Sequence, residues 1–323
     1  MSICMITYNH EKFIAQAIEG IIMQITDFDI ELVIGEDCST DKTRDICLHY
    51  KQKYPERITL LLPENNLGMM ANFNVTIDAC LAGFKYVAMC EGDDYWVDRY
   101  KLQKQIDYLE KNKECGLVYT DVKVFDETKQ IFIESKQKFI IDETKVVSEL
   151  IKSKYIEFPT IVVRANLLKK ILAILDREWQ GKIIGDTRLI LEFAQLSKIG
   201  YLPEQTTVYR ILQGSASHPM SVEKYIFASE DTFITRLNFI NRYKLNKKML
   251  GIPVCNFNRG IIQKALEQKN YFNALRLIRK LKIRESFLFC DIKTLRAKYD
   301  GRIILQLFAT LVGFGVMKNI FAK

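Results

Sequence analysis

Three carboxylates lie within four residues of this sequence, in the segment Glu91-Gly92-Asp93-Asp94. The segment follows an apolar run, Tyr86 to Cys90, that is typical of a strand inside a parallel sheet. Open α/β sheets bind their ligands at the carboxyl ends of such strands. Carboxylates this close repel one another in a dry cleft and need a counter-charge, ordinarily a hard divalent cation that holds the phosphates of a substrate. The alternative interpretation is a solvated acidic turn in front of a helix.

Four strands that alternate with helices would position this segment. The apolar runs predict strands at residues 2–7, 30–34, 58–62 and 86–90, with a helix after each. Strands separated by helices require a parallel sheet with right-handed crossovers. Ser39 or Thr40 is the expected N-cap of the second helix. Neither a GxGxxG motif nor a P-loop motif follows the first strand, so the dinucleotide-binding and P-loop interpretations lose their main support.

The cysteine and histidine content limits the kinds of metal site. The eight cysteines are scattered, with no CxxC pair and no Cys/His spacing typical of a zinc site. The chain has three histidines, so any metal would have mainly oxygen ligands. No basic segment and no small-residue cleavage site precede the first predicted strand, and we therefore expect a cytoplasmic protein.

Four short segments resemble, in order and spacing, the successive motifs of the family 2 inverting glycosyltransferases of the GT-A fold. They are Thr7-Tyr8-Asn9, Glu36 to Asp41, Asn66-Leu67-Gly68 with Asn74, and Glu91-Gly92-Asp93-Asp94. The resemblance implies an α/β fold, a GT-A-like three-layer α/β/α domain with a mostly parallel sheet. We expect this catalytic domain to cover residues 1–220 and a basic helical region to cover residues 221–323.

The resemblance assigns the donor side of the site to the first strands and their loops. Asp93 is the expected protein ligand of a Mg²⁺ or Mn²⁺ ion that bridges the two phosphates of a nucleotide sugar. Asp37 corresponds to the residue with which the family recognises the nucleotide. Glu91 stands where family members usually have Asp, so its role stays open. The expected nucleotide-sugar contacts in this part of the chain are Thr7, Asn9, Asp37, Glu91 and Asp94.

The acceptor side depends on residues later in the chain. Asp186 corresponds to the acidic residue that the family places at the start of a helix beneath the acceptor, which makes it the candidate catalytic base. An Asp at that place also suits a helix N-cap, and the two roles can coexist. Asp121, on a strand predicted at residues 115–125, is the second candidate. The segment from Glu157 to Arg164 resembles the acceptor-facing region of the family.

A further segment resembles the carboxyl-terminal donor loop of the family. Two short strands are predicted at residues 198–202 and 206–211, and the loop follows at residues 214–219. Arg210, Ser215 and Ser217 would meet the diphosphate from the side opposite the acidic segment. His218 would supply a metal ligand from the same loop.

These assignments predict an inverting glycosyltransferase that makes a glycosidic bond by metal-assisted single displacement. The expected donor is a nucleotide-diphospho-sugar, with a UDP-sugar first, and the acceptor is a saccharide or a lipid-linked saccharide of a bacterial polysaccharide or cell-envelope glycan. No nucleic acid partner is expected. Two alternatives stay open: a non-catalytic nucleotide-sugar binding module, and a nucleotidyltransferase, for which the basic phosphate loop after the first strand is missing.

The charge is divided unevenly along the chain. Residues 241–323 carry 18 Lys and Arg against 4 Asp and Glu, a net +14, whereas the preceding 240 residues carry a net −6. Within the basic part, Ile303 to Met317 forms a run of 15 residues without a charge. This is short of the roughly 20 residues needed to cross a bilayer. The pattern predicts either an interfacial helix on an anionic membrane or a helix packed on the catalytic domain.

Overall fold

The computed structural model describes residues 1–135, 145–152, 155–175, 186–215 and 222–250. The chain divides into two compact units, Met1–Gln213 and Gly214–Lys323. The first unit contains the strands and the helices between them. Its elements, in chain order, are β1 Ser2–Thr7, α1 Ile14–Ile22, β2 Glu31–Glu36, α2 Thr43–Lys53, β3 Ile58–Leu61, α3 Met69–Cys80, β4 Tyr86–Met89, β5 Tyr95–Trp96, α4 Lys101–Lys111, β6 Cys115–Asp126, β7 Ile131–Ile133, α5 Val146–Lys152, β8 Val162–Arg164, α6 Ala165–Leu175, α7 Asp186–Leu196 and β9 Lys198–Ile211.

The strands form one mixed sheet in the order β3-β2-β1-β4-β8-β6-β9-β5, with β7 paired to β6. The first four strands are parallel, as the alternation of strands and helices predicts. Beyond β4 the sheet is mixed, because β8 runs antiparallel to both β4 and β6 while β9 runs parallel to β6. The two short strands predicted at 198–202 and 206–211 are one 14-residue strand, β9, with an irregular register opposite Thr120 to Val122.

Helix α1 packs its apolar stripe beneath the first strands. Ile14, Ala17, Ile18 and Ile21 are all buried, at the spacing that places side chains on one helix face. The helix also approaches β5 closely: a Cβ at Gly20 would lie 2.8 Å from the carbonyl oxygen of Trp96, so only glycine allows this contact. The short strand β5, which the sequence did not predict, is therefore fixed against α1.

A buried lysine lies behind the carboxyl ends of the strands. Lys101 Nζ lies 4.5 Å from the centre of the Trp96 ring and donates to the carbonyl oxygen of Thr160 at 3.3 Å. Trp96 Nε1 donates to the carbonyl oxygen of Pro159 at 2.9 Å. Burial lowers the pKa of Lys101 to about 7, since the charged form loses its hydration. These contacts fix residues 157–160 beside the end of β4.

The described part of the second unit contains α8, Val222–Arg242, and a 3-10 helix, Lys247–Leu250. The rings of Phe239 and Tyr243 pack with centroids 4.9 Å apart. Among the helices that the structure describes, none has the length and hydropathy needed to span a membrane. The apolar run at residues 303–317, and with it the predicted interfacial helix, lies outside the described residues.

Candidate active site

The site lies at the point where the strand order reverses. Strand β1 pairs with β2 on one side and with β4 on the other, and all three run parallel. Open α/β sheets bind their ligands outside the carboxyl ends of the strands at such a point. Those loops carry three of the four segments that the sequence singles out, and the fourth follows β3 in the same parallel group.

The acidic turn Glu91 to Asp94 packs tightly against the end of β1. The N–H of Gly92 donates to the carbonyl oxygen of Ile6 at 3.0 Å. A Cβ at Gly92 would lie 2.6 Å from Thr7 Oγ1, so any other residue would push the turn away from β1. The predicted turn is therefore present, and Gly92 allows its close approach to Thr7.

Two carboxyl groups of the turn are desolvated. Burial, followed by the charge of Asp93, raises the pKa of Glu91 to about 8. The Glu91 Oε2 atom is buried, and no hydrogen-bond partner for it exists among the described residues. Asp94 is 2% exposed, and burial together with the charges of Asp93 and Glu91 raises its pKa. A positive charge arriving at this turn would relieve both the repulsion and the unpaired oxygen.

Asp93 is the carboxylate of the turn that a ligand can reach. Its side chain is 20% exposed, and its Oδ2 atom lies 3.9 Å from His10 Nε2. The other ring nitrogen of His10, Nδ1, lies 3.2 Å from Thr7 Oγ1. The structure thus brings Asp93 and Thr7, both predicted from the sequence, together with His10, which was not predicted.

Two acidic residues from distant parts of the chain complete the cluster. Burial and then the charge of Asp186 raise the pKa of Glu157 to about 8. The charges of Asp186 and Glu157 also contribute to the raised pKa of Glu91. The charge of Asp186 therefore acts on the carboxyl groups of both Glu157 and Glu91.

Asp186 stands at the first residue of α7, as predicted. Its Oδ1 atom accepts a hydrogen bond from the N–H of Thr187 at 2.6 Å, so the side chain also interacts with the start of the helix. The second candidate base, Asp121, hydrogen-bonds the hydroxyl of Tyr201 and contributes to the raised pKa of that tyrosine. The charge of Asp186, by contrast, contributes to the raised pKa of Glu91. The assignment of the base to Asp186 or Asp121 stays a prediction.

Asn9 and Asp37 organise loops on the nucleotide side. Asn9 has a φ of 57°, and its Oδ1 atom accepts from the N–H of Thr40 at 2.9 Å. The two carboxylate oxygens of Asp37 accept from the N–H groups of Leu67 at 2.7 Å and Gly68 at 3.0 Å. Asp37 is 2% exposed, and both of its oxygens hold the loop that follows β3.

The neighbouring prediction of a helix cap was wrong. Helix α2 begins at Thr43, after Lys42, with no side-chain cap. Ser39 Oγ accepts instead from the N–H of Asn9 at 2.9 Å, and Thr40 binds the Asn9 side chain. Both residues thus connect the turns after β1 and β2.

Two of the predicted donor contacts have internal partners. Asp94 accepts from the N–H of Arg210 at 2.7 Å, deep below the surface. Arg210 is 6% exposed and its Nη1 donates to the main-chain oxygen of Asp93, and its contact with a diphosphate stays a prediction. Ser215 lies in the second unit. Ser217 and His218 lie outside the described residues.

Sequence reasoning missed His10 and Glu157. His10 directly follows the Thr7-Tyr8-Asn9 segment, so its place at the end of β1 was an available signal. Glu157 begins the segment that resembles the acceptor-facing region of the family, which was the available signal, although no role was assigned to the residue itself.

The residues of the turn fit a divalent cation that arrives with a diphosphate. Within the described ranges, no group of three or more His, Cys, Asp or Glu side chains is arranged to hold a metal ion alone. Mg²⁺, however, usually binds through one or two carboxylates together with substrate phosphates and water. The accessible Asp93 and the unpaired Glu91 Oε2 offer that kind of partial site.

Comparison with known protein families agrees with the geometry. The model of the family described as "Glycosyl transferase family 2" matches residues 2–172, which contain β1 to β8 and the acidic turn. The chain belongs to glycosyl transferase family 2. The sequence resemblance to this family is thereby confirmed.

Curated relatives match over part of their length. An uncharacterised protein of Mycobacterium bovis is 41% identical over 127 residues, which cover 39% of this chain and 36% of that protein. A dTDP-rhamnosyl transferase of Shigella flexneri is 29% identical over 143 residues, 44% of this chain and 46% of that protein. The chain thus spans less than half the length of these two relatives.

A solved structure shares the fold. A mannosyltransferase of Pyrobaculum calidifontis, solved with GDP-Man and Mn²⁺, aligns with a TM-score of 0.54 at 14% identity. The alignment covers 96% of this chain and 84% of that one. The predicted GT-A-like α/β fold is thereby confirmed.

The raised pKa of Glu157 predicts how stability depends on pH. A carboxyl group with a higher pKa in the folded chain stabilises the fold below its unfolded pKa of about 4.3, and that contribution is lost as the pH rises through the folded value. For Glu157 the folded value is about 8. Between pH 5 and pH 8, the free energy of unfolding should fall in the wild type more than in Glu157→Gln. We expect the two decreases to differ by about 1 to 2 kcal/mol.

Urea denaturation of both proteins at several pH values measures this difference. Glu56→Gln, at an exposed position between α2 and β3, is the matched control and should follow the wild type. An identical pH dependence in the wild type and Glu157→Gln would show that Glu157 is not desolvated.

Proposed function

We propose that the chain transfers a sugar from a nucleotide-diphospho-sugar to an acceptor hydroxyl with inversion at the anomeric carbon. One observation carries the proposal: the turn after β4 places the buried Asp94 and the unpaired Glu91 Oε2 beside the more accessible Asp93, at the carboxyl ends of the parallel strands. Family membership supports sugar transfer, and the grouping of the carboxyl groups supports the division of roles.

The donor side consists of the turns after β1, β2 and β4. Asp37 and the loop it holds would receive the nucleoside, with Thr7 and Asn9 shaping the same crevice. Asp93 would hold Mg²⁺ or Mn²⁺, and a bound cation would neutralise the negative charge on the departing diphosphate. We take a UDP-sugar, the donor expected from the sequence, as the first to test. GDP- and dTDP-sugars follow, because the Pyrobaculum calidifontis mannosyltransferase was solved with GDP-Man and the Shigella flexneri relative is named a dTDP-rhamnosyl transferase.

The acceptor side consists of Asp186 and the neighbouring Glu157. The acceptor oxygen would attack the anomeric carbon from the face opposite the diphosphate, and the bond from that carbon to the diphosphate oxygen would break. Asp186 would take the proton of the attacking hydroxyl. Glu157, whose pKa is raised by burial and by the charge of Asp186, would lie on the same side of the site.

A non-catalytic nucleotide-sugar binding module is the second candidate. The observation that favours it is the high pKa of Glu91, about 8, which weakens this carboxyl group as a cation ligand at neutral pH. Titration of the chain with UDP-, GDP- and dTDP-sugars, with and without Mn²⁺, followed by an assay for hydrolysis or transfer, separates the two. Binding without either reaction in the presence of cell-extract acceptors would favour the module.

Asp93→Ala tests the cation site. The change removes the accessible charged ligand, so we expect the affinity for the donor to become independent of Mn²⁺. Isothermal titration with and without EDTA measures this dependence. Asp107→Ala, at an exposed position of α4, should keep it. If Asp93→Ala keeps the metal dependence of the wild type, the cation binds elsewhere.

Asp186→Asn tests the catalytic base. Asn keeps the size and much of the interaction with the start of α7 but cannot take a proton. We expect donor affinity to be retained and the transfer rate to fall by about 10² or more, the usual contribution of general base catalysis. Asp121→Asn is the paired variant and should transfer at close to the wild-type rate. The opposite result for the pair would assign the base to Asp121.

The proposal includes contact with an anionic membrane, because of the sequence of residues 241–323. The +14 charge of residues 241–323 and the uncharged run at 303–317 suit a helix on a bilayer surface that carries a lipid-linked acceptor. In a flotation assay, the full chain should rise with vesicles rich in phosphatidylglycerol at low salt and separate from them at high salt. If the full chain stays at the bottom of the gradient under both conditions, it does not bind this membrane.

A further inference from the structure

Arg210 is a buried cation directly behind the acidic turn. It lies on β9, and its guanidinium carbon is 4.3 Å from the ring centre of Tyr95 and 5.1 Å from that of Phe13. The guanidinium thus contacts two aromatic rings, one in β5 and one directly before α1. A planar cation stacks on such faces far better than an ammonium group does.

The polar groups of Arg210 all face the protein. Nη1 donates to the main-chain oxygen of Asp93, and Nη2 donates to Gln16 Oε1. Nε lies 3.7 Å from Glu127 Oε2. The main-chain N–H donates to Asp94 Oδ1 at 2.7 Å. One residue therefore contacts both members of the Asp93-Asp94 pair and connects them to α1 and β9.

We propose that Arg210 is a positioning residue that fixes the acidic turn and so sets the affinity for the cation and the diphosphate bound to it. This inference rests on the function proposed above. The hydrogen bond to the Asp93 carbonyl fixes the main chain from which the accessible carboxylate projects. The main-chain N–H of Arg210 also donates to Asp94 Oδ1, so the same residue fixes the neighbouring carboxylate.

Loss of the guanidinium should weaken cation binding more than nucleoside binding. Partners that orient a metal ligand typically contribute 10- to 100-fold to metal affinity. We therefore expect Arg210→Gln to lower the affinity for Mn²⁺ in the presence of UDP by about 10- to 100-fold. Arg210→Lys keeps the charge but lacks the fork and the stacking plane, so it should recover only part of that loss. Binding of UMP in the absence of metal should stay within about twofold of the wild type, since Asp37 and its loop do not contact Arg210.

In the experiment, MnCl₂ is titrated into the full chain in the presence of UDP, and electron paramagnetic resonance measures the free Mn²⁺ at each step. The affinity for UMP is measured separately. Arg164→Gln is the matched control, because Arg164 is a partly buried arginine that binds the carbonyl oxygens of Cys115 and Leu109, away from the acidic turn. It should lower thermal stability without changing Mn²⁺ affinity. Gln16→Leu is the second variant, for use if Arg210→Gln does not fold. It removes one acceptor of the guanidinium without removing a charge, and it should weaken Mn²⁺ binding by a few-fold.

The outcomes distinguish the inference from the proposed function. Unchanged Mn²⁺ affinity in folded Arg210→Gln, or in Gln16→Leu, overturns the positioning role. Equal losses for UMP and for Mn²⁺ with UDP also overturn it, because they indicate general damage to the crevice. If the wild-type chain binds neither Mn²⁺ with UDP nor Mn²⁺ with GDP, the proposed function itself fails.

Discussion

Repulsion among carboxyl groups is the constraint on which the rest of this structure depends. Burial first, and then the charge of Asp93, raises the pKa values of Glu91 and Asp94, so their ionised forms are unfavourable. The fold holds them together because Gly92 packs on Thr7 and because Arg210 binds the turn from behind. A bound cation with its diphosphate would reduce the repulsion that remains among the carboxyl groups. The repulsion that destabilises the chain without ligand therefore favours ligand binding.

The surrounding packing keeps the second set of carboxyl groups within reach of the first. Trp96 and Lys101 hold Pro159 and Thr160 through their carbonyl oxygens, and this fixes the segment that carries Glu157. Burying a lysine there is unfavourable, as its pKa of about 7 indicates, and the contact with the Trp96 ring and the carbonyl oxygens compensates in part. The stability of the core and the geometry of the site therefore depend on the same few contacts.

The sequence predicts the parts of the site whose signals are local. Asp93 and Gly92 follow a buried strand, and their motif is enough to identify the turn. Arg210 shows the limit of this reasoning, because a cation near a donor loop suggests a phosphate contact, whereas its pairing with the turn depends on β9 lying beside β5. The resemblance marks the segment that begins at Glu157 but assigns no role to the residue itself. Ser39 is a good helix cap by type, but Asn9 from another turn competes for its hydroxyl.

The most direct test of the account is a crystal structure of the full chain with UDP and Mn²⁺, with the cation located by its anomalous scattering. The account predicts Mn²⁺ within about 2.5 Å of an Asp93 carboxylate oxygen and bound to both phosphates, with the nucleoside beside Asp37. A cation bound away from the turn Glu91 to Asp94, or a diphosphate seated without contact to it, would contradict the account.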